Sequence, residues 1–186
     1  MAEHVILVAG PMGAGKTTAI SAVSDIPIVT TEARNTERDV VDKETTTVAL
    51  DYGEIELAPR EKLRLYGIPG QRRFAFMWKI LAQRAVGLLV LVRGDAPDPL
   101  GDLDSFLTDF AEIGRRGAVV VGITRSDLAS GPSLEDYRRL LAARFPELPA
   151  PVFTVDARRR DDLTTMLSVL AAGIDARALI YGKETA

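Results

Sequence analysis

Gly10-Pro11-Met12-Gly13-Ala14-Gly15-Lys16-Thr17 is the stretch on which the fold turns. It fits G-x-x-x-x-G-K-[ST] and lies between an apolar β-type run, Val5 to Ala9, and a helical pattern from Lys16 to Ser24 that ends before Pro27. Glycines at this spacing let the backbone curl until successive N–H groups converge on an anion, and the following helix adds the positive end of its dipole. The segment therefore reads as a phosphate cradle, not a Gly-rich turn with an incidental lysine. Gly13, Ala14, Gly15 and Thr18 are candidate nucleotide contacts. Lys16 is expected to reach the β- and γ-phosphates, and the Thr17 hydroxyl to ligate Mg2+.

Working outward, apolar β-rich runs alternate with helical patterns through most of the chain, the signature of a mainly parallel sheet covered by helices on both faces. Thr30 to Thr46 is polar and without apolar period, so it reads as a long loop and a candidate switch. Val48, Leu50 and Tyr52 alternate, Ile55 and Leu57 alternate in the opposite phase, and Gly53 is expected to mark a bulge between them. Leu63 to Tyr66 returns the chain after Pro59, giving a hairpin and an antiparallel edge. Phe74, Met77, Trp78, Leu81 and Ala85 repeat at helical spacing and read as core. Val86 to Val92, Ala118 to Ile123 and Pro151 to Val155 are strands. One helix is expected from Leu100 to Ile113, one opening with a capping box at Ser133 to Asp136, and a closing one carrying Leu163 to Ile174. The expectation is a single α/β domain over 1–186, a three-layer fold with six strands and about five helices. In such a sheet ligands bind at the C-terminal ends of the parallel strands.

Composition excludes several classes. The 186 residues are 47% hydrophobic and 26% charged, with a mean hydropathy of +0.08, as in ordinary soluble domains. Met1-Ala2-Glu3-His4 has no signal-peptide character and no apolar run approaches a membrane span, so a cytoplasmic protein is expected. The absence of cysteine rules out disulfides, thiolate metal sites and a lipidated cysteine as a direct membrane anchor. A net charge of −3 with pI near 5.3 argues against a nucleic-acid partner. Arg158-Arg159-Arg160, followed at once by Asp161-Asp162, reads as a solvated turn. The lone His4 builds neither a metal site nor a catalytic triad.

A cradle alone leaves kinases, ATPases and GTPases open. Gly67-Ile68-Pro69-Gly70-Gln71-Arg72-Arg73-Phe74 resembles the D-x-x-G-Q-E-R-F segment of Ras-like small GTPases, and Thr47-Val48-Ala49-Leu50-Asp51 resembles T-[IV]-G-[VI]-D in the first switch of that family. Thr124-Arg125-Ser126-Asp127 resembles the guanine-reading N-K-x-D, and Asp156-Ala157-Arg158 the S-A-[KL] element. The resemblance implies that the Gly70 N–H contacts the γ-phosphate, that Gln71 orients the attacking water, and that Thr47 senses Mg2+, with Thr45 and Thr46 as rivals. It implies that Asp127 reads guanine, with Thr124, Arg125, Ala157 and Arg158 beside it. Gly67 stands where the family has an aspartate that holds a Mg2+-bound water. That departure, together with the Pro69-Gly70-Gln71 run, is similar to the bacterial MglA-like group.

The resemblance thus implies a GTP-hydrolysing switch that cycles between GTP and GDP with Mg2+, a roadblock-type activating protein and an effector protein. Arg34, Arg38, Arg72 and Arg73 are candidates for an arginine finger in cis. Two other readings stay open, a non-hydrolysing nucleotide-binding scaffold, which Gly67 favours and Gln71 disfavours, and a small P-loop kinase or ATPase.

Overall fold

In the computed structural model, which describes residues 2–34, 47–58, 61–70, 74–127 and 131–181, the chain begins as the central strand of one sheet. Its strands are β1 (Ala2–Ala9), β2 (Val29–Arg34), β3 (Thr47–Ala58), β4 (Glu61–Gly67), β5 (Ala85–Arg93), β6 (Ala118–Thr124) and β7 (Val152–Val155). They lie in the order β2-β3-β4-β1-β5-β6-β7. β1 pairs in parallel with β4 and β5, and β5-β6-β7 continue in parallel. β3 runs antiparallel to both β2 and β4. Six helices complete the described residues: α1 (Lys16–Val23), α2 (Ala75–Ala82), α3 (Pro99–Asp109), α4 (Ala111–Arg116), α5 (Leu134–Arg144) and α6 (Arg160–Tyr181).

The sheet separates two apolar layers, as the period-2 geometry of strands requires. Leu7, Leu88, Val90 and Val92 face Trp78, Leu103, Phe106, Phe110 and Tyr137 on one side. Ile6, Val8, Leu89 and Leu91 face Ile20, Leu163, Met166 and Leu170 on the other. β6 is buried along its whole length, which is why its sequence reads as a continuous apolar run with no alternation. The Trp78 ring packs on Phe110 with centroids 5.3 Å apart, and its Nε1–H donates to Pro69 O at 3.0 Å. The aromatic stripe therefore belongs to the core, and it also pins the segment before Gly70.

The six-strand, five-helix expectation is one short in each class. The missing strand is β2, at the start of the stretch read as a loop. Its run Val29-Thr30-Thr31-Glu32 carries no apolar alternation because it is an edge strand whose place is fixed by backbone pairing to β3. The antiparallel strand β3 accordingly lies one position inside the edge. The extra helix arises because the Leu100 to Ile113 pattern breaks at Phe110 into α3 and α4.

Gly53 is not a bulge. It pairs in register with Leu65, and the shift in that ladder falls between Glu56 and Ala58. A Cβ at Gly53 would lie 2.6 Å from Ile20 Cγ2 and 3.0 Å from Ser24 Cβ. Glycine is there so that α1 can approach the sheet. The capping box at α5 is present, with Ser133 and Asp136 bonding reciprocally.

Candidate nucleotide-binding site

β1 delivers Gly10 to the C-terminal edge of the sheet and α1 starts at Lys16, so the intervening turn has backbone conformations only glycine holds without strain. Gly10 has φ 144°, and a Cβ on it would meet Leu91 O at 2.0 Å. Gly15, at φ 92°, caps α1. Lys16 folds back over this loop, its Nζ donating to Gly10 O and Pro11 O, each at 2.8 Å. Burial pushes its pKa down to about 8, and the nearby Asp51 carboxylate offsets part of that shift.

Next to the loop, a cavity of about 790 Å3 gathers elements distant in sequence. It is lined by Gly13, Ala14, Gly15 and Thr18, by Thr124 at the end of β6 with Arg125 and Asp127 beyond it, and by Ala157 and Arg158 after β7. All nine are sequence-predicted contacts. They do not all present side chains to the cavity. Thr124 is 4% exposed, and its hydroxyl lies within donating distance of Ala14 O at 3.2 Å and Val92 O at 3.3 Å. The side chain thus ties the phosphate loop to two adjacent strands. Arg158 is held by Asp156, with Nε and Nη2 donating to its carboxylate at 2.9 and 2.7 Å. That pairing holds the Asp156 carboxyl down at about 2. Arg159 and Arg160 pair with Asp162 and Asp25, so the basic cluster is internally neutralised.

On the phosphate side, the Ile68 N–H donates to Val8 O at 3.0 Å and brings Gly70 against the loop. A Cβ on Gly70 would lie 2.5 Å from Gly10 O and 3.0 Å from the Met12 nitrogen, so only glycine permits this approach. Thr47 opens β3 opposite Arg34. Gln71, Thr45, Thr46, Arg38, Arg72 and Arg73 lie outside the described residues.

One residue of the Thr47 to Asp51 run to which sequence reasoning gave no role stands out. Asp51 lies opposite Gly67 on the β3–β4 ladder. Its Oδ2 accepts a hydrogen bond from the Thr17 hydroxyl, and its Oδ1 lies 3.3 Å from the Thr30 hydroxyl, which donates to it. A carboxylate is thus present beside Thr17 although position 67 has none. These hard oxygen donors fit Mg2+, which takes one or two protein oxygens and completes its shell with phosphate and water. Among the described residues no group of three or more His, Cys, Asp or Glu forms a dedicated metal cage.

A family model described as "Conserved hypothetical ATP binding protein" matches residues 27–142, from before β2 to within α5. The chain belongs to that family. This member of the family of conserved hypothetical ATP-binding proteins is also similar to intraflagellar transport protein 22 of Chlamydomonas reinhardtii, 30% identical over 117 residues. That match takes in 60% of this chain and 56% of that protein, so the chain spans little more than half the length of its curated relative. Among solved structures, the Arl6 BBS3 small GTPase from Trypanosoma brucei with bound GppNp superposes with a TM-score of 0.71. It shares 16% identity, and the alignment covers 95% of this chain and 99% of that one. The fold of this family member is that of a small GTPase.

Proposed function

We propose that this chain binds GTP and GDP with Mg2+ and hydrolyses GTP slowly, as a cytoplasmic Ras-like switch that acts on a partner protein. The observation that carries this reading is the convergence of the phosphate loop with Asp127 and Ala157 on one cavity. A carboxylate at Asp127 accepts from both N1–H and the exocyclic amino group of guanine, and adenine offers no matching pair. The solved small GTPase holds a guanine nucleotide analogue, which supports the same base. The family description names ATP, so the choice of base is the first point to test.

In the proposed reaction water attacks the γ-phosphorus in line, the new P–O bond forming as the bond to the β–γ bridging oxygen breaks. Lys16 turns from its two loop carbonyls to the phosphates, and the loop N–H groups hold the charge that develops there. The Gly70 N–H meets the γ-phosphate, and Gln71 orients the attacking water. Thr17 and Asp51 are the residues that would hold the metal, with Thr47 as its sensor in the GTP state. When bound, Mg2+ neutralises charge on the phosphate oxygens.

Contacts from Thr47 and Gly70 to the γ-phosphate would order the stretch Thr30 to Thr46, of which the part after Arg34 lies outside the described residues, and that stretch would present a partner surface. Hydrogen exchange in GDP and GppNp tests this step, and equal protection there would sink it. A finer kinship to the MglA-like group, with a roadblock-type activator, rests on Gly67 and the Pro69-Gly70-Gln71 run. The two relatives above are eukaryotic and give it no support.

Binding of fluorescent GTP, GDP and ATP with and without Mg2+, read with phosphate release, decides the whole proposal. Guanine selectivity lost in Asp127→Ala and release lost in Gln71→Leu are expected. Tight guanine binding without release would leave a non-hydrolysing scaffold, and ATP preference would restore the kinase or ATPase reading.

A further inference from the structure

Arg93 ends β5 and pairs in register with Thr124, so its neighbour across the ladder leads straight into Arg125. Asp95 grips the Arg93 guanidinium with both oxygens, accepting from Nε at 2.8 Å and from Nη2 at 3.0 Å. The same carboxylate lies 3.5 Å from Arg125 Nη1. On its other side Arg93 runs along the phosphate loop, its Nη1 3.6 Å and its Cδ 3.9 Å from where a Cβ on Gly13 would sit. Asp102 on α3 adds further negative potential at Arg93. Gly13 and Arg125 both line the nucleotide cavity, whereas neither Arg93 nor Asp95 is among its lining residues.

Arg125 is the one described non-glycine residue with positive φ, at 56°. That conformation persists only where the surroundings hold it. Two guanidinium groups converge on Asp95; without its charge they would repel each other, and Arg125 would lose a charged contact on its flank. Asp95 holds two of the three guanidinium nitrogens of Arg93, so the geometry is that of a brace.

We propose that Asp95 is a positioning residue that clamps the base-side loop, through Arg125, to the phosphate loop, through Arg93, and so sets how long a nucleotide stays bound. This inference rests on the nucleotide-binding reading above. The clamp acts on both ends of the cavity, so it affects nucleotide release more than capture. The ion pairs are partly exposed, with side chains 31% (Arg93), 20% (Asp95) and 48% (Arg125) accessible, so salt weakens the clamp.

The test is the dissociation rate of fluorescent GDP from the full chain, for the wild type and Asp95→Asn, at low and high potassium chloride. The expected result is roughly tenfold faster release in Asp95→Asn at low salt, with association within about twofold, as for loss of one charge-assisted partner. High salt should speed the wild type toward the variant and leave the variant nearly unchanged. Asp95→Glu should recover part of the retention, and Asp95→Asn should add little in an Arg125→Gln background. A wild type that retains GDP while Asp95→Asn releases it at an unchanged rate overturns the clamp alone. Faster release without salt dependence, or with a melting point that falls in step, overturns it in favour of a merely structural role. A wild type that holds no nucleotide at all overturns the underlying reading as well.

Discussion

Asp51 on β3 faces Gly67 on β4, and a Cβ built on Gly67 would lie 3.0 Å from Asp51 Cβ and 3.4 Å from its Oδ2. The two positions share one space beside Thr17. A side chain at either one fills the room that the other would need, and here the carboxylate comes from β3. The absence of an aspartate at position 67 therefore moves the acidic group to the neighbouring strand and leaves the site with a carboxylate.

Replacing Asp51 with alanine is expected to weaken the Mg2+ dependence of nucleotide binding by about 10- to 100-fold, the usual effect of losing a supporting oxygen at a metal site. Nucleotide affinity measured in excess EDTA should change far less. Titration of Mg2+ against nucleotide release reads the difference, and an unchanged Mg2+ midpoint would remove Asp51 from the metal site.

Gly67→Asp alone should not improve the site. Its Cβ would come within 2.9 Å of Ile20 Cδ1 as well as 3.0 Å of Asp51 Cβ, inside the packing between α1 and the sheet. Such overpacking, with a second carboxylate beside the first, is expected to cost about 1–3 kcal/mol in denaturant unfolding. Asp51→Gly combined with Gly67→Asp should recover part of the loss and of the Mg2+ response. Additive losses in the double variant would show that the two positions do not share a space.

What could be read from the sequence was what is local. The cradle, the central strands and the capping box each announce themselves within about ten residues, because each is built from its own backbone conformation or its own apolar period. Asp51 could not be read this way, since its role comes from a register that places it opposite Gly67 and beside Thr17. Gly53 was misread as a bulge for a related reason: a glycine in a strand signals either a bulge or a close neighbour, and only α1 decides between them. β2 carries almost no apolar signal, as expected of an edge strand held by pairing. Thr124 was legible only as part of the base-side run; that its hydroxyl is turned inward to the carbonyls of Ala14 and Val92 depends on how β6 packs against the phosphate loop.

Lys16 gives the site a pH dependence. In the free chain its pKa is pushed down to about 8 from 10.5. Between those values the unfolded chain binds more protons than the folded one, so this residue's contribution to the stability of the free protein rises with pH across that window. Phosphate needs the protonated amine, and so runs the other way. Affinity is expected to be flat below pH 7.5 and to fall by up to roughly tenfold per unit as pH passes about 8. Lys16→Met should bind weakly and without that slope. A wild-type affinity that stays level from pH 7 to 9.5 would mean that the amine is not a phosphate contact.

Thr124→Val keeps the shape of the side chain and removes its hydroxyl, which separates tethering from space-filling. Ala14 O and Val92 O both lie within 3.3 Å of that hydroxyl at a 4% exposed position, so the change removes a buried donor from two carbonyls. An unsatisfied buried polar group costs about 1–3 kcal/mol, and the loss should appear in denaturant unfolding of the free chain. Ala14 belongs to the phosphate loop, so nucleotide affinity should fall too, for GDP and GTP alike and without change in base preference. A variant with altered base selectivity and unchanged stability would instead mean that Thr124 turns outward and touches the base.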